Sequence, residues 1–401
     1  MLSCEQALAQ LLAAARPLTQ SETVATEEAA GRVLAAAQIS HLDVPPLDNS
    51  AMDGYALRCA DVPVAGSRLR VAGRIPAGSV GARLEPGTAA RIFTGAPLPE
   101  GADAVVMQEQ CRVDGEDGVL IDTLPVAGEW IRRRGEDIAR GSEVLPAGTR
   151  LSPAELGLAA AIGLARLPLL RRLRVAVFST GDELVMPGTV APEAMAPGAI
   201  YNSNRALLIG LLRQLHCAVV DLGIVPDSLE ATRAALRTAA HGNDLILSSG
   251  GVSTGEEDHV KPAVRAEGSL DLWKIAIKPG KPLAFGSVGL TPFIGLPGNP
   301  VSSLVTFLLL VRPFILKAQG AQPAEPRALA LRADFEWGGD ARREFLRARR
   351  NDDGGVDLFA NQNSSVLTSV AWADGLVDNP PGRPIARGEL VRFLPFSELL
   401  Y

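Results

Sequence analysis

Leu208, Leu211, Leu212 and Leu215 recur at i, i+3, i+4 and i+7, the apolar stripe of an amphipathic helix that Asn202 or Ser203 can cap. The stripe belongs to a longer alternation. Leu173–Phe178, Ala218–Val225, Asp244–Ser248 and Phe293–Leu296 read as strands, separated by helical runs such as Ser228 to about Ala240 and the one beginning at Val301. Near-continuous apolar strands alternating with helices predict a central open, mostly parallel α/β sheet over residues 171–320. On such sheets ligands bind beyond the strand C-termini.

The flanks follow other patterns. Residues 3 to 15 predict a helix with Ser3 as N-cap and Gln6 placed for a capping box. Thr26 to Ala37 predicts a second helix, again a hydroxyl followed by acids. From 43 to 140, short β-prone pieces (Leu69–Ala72, Ala89–Phe93, Ala104–Met107, Val119–Ile121) alternate with Gly and Pro and predict a β-rich domain. Helical signal returns at Ser152-Pro153-Ala154-Glu155. The β-rich piece thus reads as an insertion into a helical N-terminal domain made of 1–42 and 141–170. After the linker-like Ala321–Pro326, short strands to residue 401 predict a small, β-barrel-like C-terminal domain.

Composition sharpens this in three ways. A net charge of −6 disfavours a general nucleic-acid binder, though not a site for a small anion built from local cations and backbone N–H groups. Cys4, Cys59, Cys111 and Cys217 show no CxxC pairing, and the four His are not spaced for a metal helix. They read as reduced buried thiols, and any metal should be a hard, oxygen-ligated ion such as Mg²⁺. No basic-then-apolar leader opens the chain, and the apolar stretch Leu304–Val311 falls short of the roughly 20 residues of a membrane span. The expectation is a cytoplasmic protein with no membrane segment.

Asp48-Asn49-Ser50-Ala51-Met52-Asp53-Gly54-Tyr55, one residue after Pro45-Pro46, gathers two carboxylates, an amide and a hydroxyl. It is either an Asx turn capping its own backbone or a loop that orders a cation or polar substrate. In the α/β region four turns follow strands or precede a helix. Ser179-Thr180-Gly181-Asp182-Glu183 can cap a helix, hold Mg²⁺, or accept from a heterocycle's N–H groups. Ser248-Ser249-Gly250-Gly251-Val252-Ser253 can bring backbone N–H groups to an anion, ahead of Glu256-Glu257-Asp258. Lys278-Pro279-Gly280-Lys281 sets two ammonium groups across a turn. Pro297-Gly298-Asn299-Pro300 opens a helix whose N-terminus favours anions. Ile131-Arg132-Arg133-Arg134-Gly135-Glu136-Asp137 is a solvated run or an anion-and-cation site. Arg342 and Asn361–Ser365 offer a guanidinium and hydroxyls suited to a tetrahedral oxyanion. No nucleophile–His pairing is evident, which disfavours acyl-type covalent catalysis.

Taken together, Asp48–Tyr55, Thr94–Pro97, Arg132–Asp137, Ser179–Leu184, Ser248–Ser253 with Asp258, Lys278–Lys281 and Leu296–Ser302 resemble the molybdopterin molybdotransferase family, the bacterial MoeA type that includes the gephyrin E domain. The resemblance spans essentially the whole chain. It implies an elongated four-domain homodimer that inserts molybdenum from molybdate into adenylylated molybdopterin and releases AMP with Mg²⁺. It implies catalytic roles for Asp53, Thr94, Asp137, Glu183, Asp227, Asp258, Lys278 and Lys281, with Asp53, Asp137 and Glu183 on the metal. Thr180, Gly181, Asp182, Ser249, Gly250, Gly251, Ser253, Pro297, Gly298 and Asn299 would bind the substrate, and Ser302, Arg342, Ser364 and Ser365 would handle molybdate. A molybdopterin adenylyltransferase and molybdoenzyme maturation factors are the implied partners. His259 departs from the Tyr common in the family after the acid. Two rival readings stand beside this one: a gephyrin-like scaffold without catalysis, and a molybdopterin adenylyltransferase or nucleotide amidohydrolase built on the same α/β domain.

Overall fold

The computed structural model describes residues 1–252, 259–322 and 325–400. Its central sheet runs, in space, Ala218–Val225, Arg174–Thr180, Leu245–Ser249, Thr291–Leu296, Pro282–Val288, Gly268–Lys274. The first four strands pair in parallel; the last two are antiparallel. The helix Ser203–Gln214 starts where Asn202 accepts the Arg205 N–H at 3.1 Å, and Leu229–Ala240 starts where Ser228 accepts from Ala231 at 3.3 Å. These caps satisfy donors that the first helical turn leaves open. The helix from Pro300 to Ala318, interrupted by a π-helical turn over Phe307–Val311, is long and apolar enough for a membrane span by length and composition alone. The stretch Leu304–Val311 understated it. The helix is mostly buried inside the fold, which accounts for its composition.

Two expectations for the N-terminal region are corrected. The helix Cys4–Ala14 has the predicted capping box, with Ser3 Oγ accepting from Gln6 N and Gln6 Oε1 accepting from Ser3 N. Its Cys4, Ala7 and Leu11, however, are buried in one core with Leu173, Val175, Leu308 and Phe314, so it packs on the α/β domain and not on an N-terminal helical unit. The run from Thr26 to Ala37 is not a helix. Only a 3-10 turn, Thr26–Glu28, forms before Gly31 takes φ +72° and the chain bridges Val33 to Arg150 and Leu34 to Leu169. Pairing with distant chain defeats local helix preference here, and a left-handed glycine ends the turn. What remains of that region is the helix Pro153–Ala161 with two short antiparallel ladders, Ser21–Ala25 on Arg166–Leu170 and Gln38–Ile39 on Glu143–Leu145.

The inserted domain holds a six-stranded sheet, ordered Ala104–Met107, Gly54–Leu57, Thr88–Ile92, Ser67–Ile75, Gly118–Ile121, Cys111–Asp114. A separate ladder pairs Asn49–Ser50 with Ile131–Arg132 and so brings the two acidic motifs of this domain side by side. The C-terminal strands Arg343–Arg350, Gly355–Leu358, Leu329–Ala333, Leu390–Pro395 and Gly375–Asn379 close into a five-stranded barrel, the last pairing back onto the first. Ile277–Lys278 adds to Arg343–Glu344 in parallel, which carries a strand of the α/β domain onto the barrel. Phe345, Leu376 and Leu394 of the barrel share the core of the α/β domain.

Candidate functional site

The strand-end turns of the α/β domain interlock through glycines and one asparagine. Gly250 (φ +90°) and Gly251 (φ +68°) lie against Thr180: a Cβ on Gly250 would come within 2.8 Å of the Thr180 carbonyl, and one on Gly251 within 2.3 Å of Val260. No other residue permits that approach. Asn204 Nδ2 donates to Ser249 Oγ at 2.8 Å and to the Gly298 carbonyl at 2.6 Å, tying the second turn to the helix-opening turn. Its Oδ1 and Asn202 Nδ2 are buried without a partner, as are the hydroxyls of Ser179 and Ser248. Asp182 Oδ1 accepts the Asp227 N–H at 3.4 Å, joining the first turn to the end of the neighbouring strand.

The barrel completes this side. Asn299 Nδ2 donates to Ser364 Oγ at 3.0 Å, and Val301 N donates to the Ser364 carbonyl at 3.0 Å. Gly280 (φ +115°) is pressed against Thr306, one helical turn beyond Ser302, so the lysine turn rests on the same helix. The two lysines are not equivalent. Lys278 Nζ lies 3.0 Å from Asp340 and 3.2 Å from the fully buried Glu344. Burial alone would lower the Lys278 ammonium, but hydrogen bonds to Asp340 and Glu344 outweigh it and raise its pKa above the ordinary lysine value. Lys281 is exposed, with no ion pair among the described residues.

In the β-rich domain, Asp53 Oδ1 accepts from both the N–H and the hydroxyl of Thr94, each at 2.8 Å. These bonds, the backbone one foremost, hold the Asp53 carboxyl below its ordinary range. Asp48 accepts from Arg134 N and Arg133 Nη1, both at 2.8 Å, and Asp43 pairs with Arg134 at 2.5 Å. Arg133 and Arg134 are therefore paired with the carboxylates of their own domain, which shapes the loop. Asp48 is a turn-former. Asp137 is exposed, its backbone N–H bonded to the Val44 carbonyl.

The predicted residues thus fall into two groups. Thr180, Gly181, Asp182, Glu183, Asp227, Ser249, Gly250, Gly251, Lys278, Lys281, Pro297, Gly298, Asn299, Ser302, Arg342, Ser364 and Ser365 belong to the α/β domain and barrel. Asp53, Thr94 and Asp137 belong to the β-rich domain, and among the described residues no hydrogen bond or ion pair joins the two groups. Ser253 and Asp258 lie outside the described residues. The expected metal set is divided as well: among the described residues, no group of three or more His, Cys, Asp or Glu could hold a metal ion in one chain. Sequence reasoning missed Asn204, Asp340 and Glu344, and with them Trp337, whose Nε1 donates to Glu344 at 2.7 Å. Asn204 had a signal, since it follows the cap at Asn202 and is too polar for the buried face of a helix.

The thiols stay out of the chemistry. Cys4 and Cys217 are buried, while Cys59 and Cys111 are only half-buried, which corrects the expectation of four buried thiols. Burial pushes Cys59, Cys111 and Cys217 up to about 12, so all remain protonated thiols at neutral pH.

Gly-rich strand-end turns with a small barrel docked beside them, accompanied by an inserted β-rich domain whose Asp53 is held by Thr94, define a multidomain protein of the α/β class. Three family descriptions match in chain order: "MoeA N-terminal region (domain I and II)" over residues 2–163, "Probable molybdopterin binding domain" over 176–317, and "MoeA C-terminal region (domain IV)" over 330–396. The chain is 45% identical over 414 aligned positions to a molybdopterin molybdenumtransferase of Haemophilus influenzae, covering 100% of both. It is 40% identical to molybdopterin molybdenumtransferase 2 of Mycobacterium tuberculosis over 94% of both chains. A molybdopterin biosynthesis MoeA protein of Pyrococcus horikoshii superposes with TM-score 0.78 at 32% identity over 99% of both. The chain belongs to the molybdopterin molybdenumtransferase family, transferases of molybdenum cofactor biosynthesis.

Proposed function

We propose that this protein takes adenylylated molybdopterin and molybdate, inserts molybdenum at the dithiolene and releases AMP with Mg²⁺. The observation that carries this reading is the close junction of the strand-end turns, where Gly250 and Gly251 pack on Thr180 and Asn204 ties Ser249 to the Gly298 carbonyl. Turns joined through left-handed glycines bring backbone N–H groups to an anionic ligand. Thr180, Gly181, Asp182, Ser249, Gly250, Gly251, Pro297, Gly298 and Asn299 then bind pterin and phosphate, with Asp227 at the rim. Lys278, Lys281, Ser302, Arg342, Ser364 and Ser365 hold the oxyanion.

Asp53, Asp137 and Glu183 would hold Mg²⁺. Both Thr94 bonds fall on Asp53 Oδ1, so Oδ2 is left as the hard oxygen donor that this ion prefers. When bound, Mg²⁺ offsets charge developing on the phosphoanhydride. Because the acids lie on the inserted arm and the lysines on the α/β domain, a homodimer in which each arm serves its partner's cleft would unite them. Cytoplasmic location, and partnership with a molybdopterin adenylyltransferase and molybdoenzyme maturation factors, complete the proposal.

Incubation with adenylylated molybdopterin, Mg²⁺ and molybdate should give AMP release that depends on molybdate. AMP release indifferent to molybdate, or ATP-dependent adenylylation of molybdopterin, would refute it. The Asp53–Thr94 pair adds a pH signature. Protonation of Asp53 would block Mg²⁺ uptake, so at limiting Mg²⁺ the rate is lost as pH falls through its lowered pKa. Thr94→Val removes the hydroxyl bond and keeps the backbone one, so the carboxyl rises toward its ordinary value and the acid limb of kcat/KM moves to higher pH. A limb that stays in place would show that Asp53 does not set it.

A further inference from the structure

Two of the three cations assigned to the oxyanion already hold an anion. Asp340 Oδ1 accepts from Arg342 N at 3.0 Å and from Arg342 Nε at 3.2 Å, while its Oδ2 lies 3.0 Å from Lys278 Nζ. One carboxylate therefore bridges Lys278 and Arg342, much as an oxyanion would. Those same bonds, led by the Arg342 backbone N–H, hold the Asp340 carboxyl far below the usual carboxylate range, so it is charged at every working pH.

The second carboxylate beside Lys278 is built differently. Glu344 is fully buried on a barrel strand, and its Oε2 accepts from Trp337 Nε1 at 2.7 Å and from Asn379 Nδ2 at 3.4 Å. It has nowhere to go. Asp340 lies in the loop before that strand, directly after Gly338 and Gly339, with its side chain 23% exposed. Charge counting points the same way. Lys278 and Arg342 carry two positive charges against two negative ones on Asp340 and Glu344, so the cluster is neutral; with Asp340 turned away a net +1 faces an incoming anion.

We propose that Asp340 is an internal stand-in for the oxyanion, occupying Lys278 and Arg342 in the free protein and swinging out when molybdate binds, while Glu344 keeps Lys278 in place. Asp340 thereby sets how strongly an anion must compete to enter. This deepens the proposed function and rests on its assignment of the oxyanion site.

The test is calorimetric titration of the full-length protein with molybdate, a dianion, and perrhenate, a tetrahedral monoanion of similar size, at fixed ionic strength. If Asp340 is displaced, Asp340→Asn removes the same competition for both anions. Both Kd values then fall by the same factor, about fivefold, the scale of one partly exposed charge pair. If Asp340 merely repels without moving, the gain scales with anion charge, and the factor for molybdate is the square of that for perrhenate. That result, or unchanged or weaker binding, overturns the proposal. Asp340→Ala provides the same comparison if the Asn variant folds poorly. Lys281→Ala separates the underlying reading: if wild-type protein binds molybdate and Lys281→Ala binds it equally well, the oxyanion site itself is misassigned and both ideas fall.

Discussion

Mixing Asp53→Asn and Lys281→Ala subunits should restore about a quarter of wild-type molybdate-dependent AMP release, although each variant alone loses a hundredfold or more. The individual losses follow from removing a group that meets developing charge, typically worth about 10²–10³ in rate. The recovery follows from geometry. Asp53 lies on the inserted arm and Lys281 on the α/β domain, with no bond linking their groups within one chain among the described residues. If each arm serves the partner's cleft, a mixed dimer contains one cleft with both groups intact and one with neither. Random assortment makes about half the dimers mixed, and half the clefts in those are competent, hence about a quarter. Mixing that restores nothing would place both residues in the same chain's site and sink the shared-cleft model.

The second large effect separates the paired lysines. Lys281→Ala should leave the unfolding midpoint unchanged, because its side chain is exposed and makes no ion pair among the described residues. Lys278→Ala should lower stability by about 2–3 kcal/mol, because it strands the Glu344 carboxylate without its cation in a fully buried position. Adding Glu344→Gln to Lys278→Ala should recover most of that stability, since an amide still accepts from Trp337, yet recover none of the activity. Denaturant melts of the three variants check this. Equal stability of Lys278→Ala and Lys281→Ala would mean that Glu344 is neutral or solvated. The same pairing explains why the barrel matters to the cleft: Lys278 adds to the barrel strand beside Glu344, so undocking the barrel would release the lysine.

What was legible in the chain was local. Ser3 with Gln6, Ser152 with Glu155, and Ser228 carry their caps in a few consecutive residues, and those helices start where the sequence places them. The apolar strands of the α/β domain were legible for the same reason, as were the strand-end turns, which their glycines and hydroxyls mark. The failed helix at Thr26–Ala37 shows the limit. Its alanines favour a helix, but Val33 and Leu34 bridge to Arg150 and Leu169, and no window along the chain contains those partners.

The division is sharpest at the site. By itself the sequence determined the family and the order of its regions, because these depend on residue type at short spacing. Only the tertiary structure decided that Arg133 and Arg134 are spent on Asp48 and Asp43, that Asn204 ties two turns together, and that Lys278 is held while Lys281 is open. Each of those outcomes turns on which charge or buried polar atom finds a partner from a distant segment. Such pairing is settled by distance in space, and Lys278 meets Asp340 and Glu344 only because the barrel docks on the α/β domain.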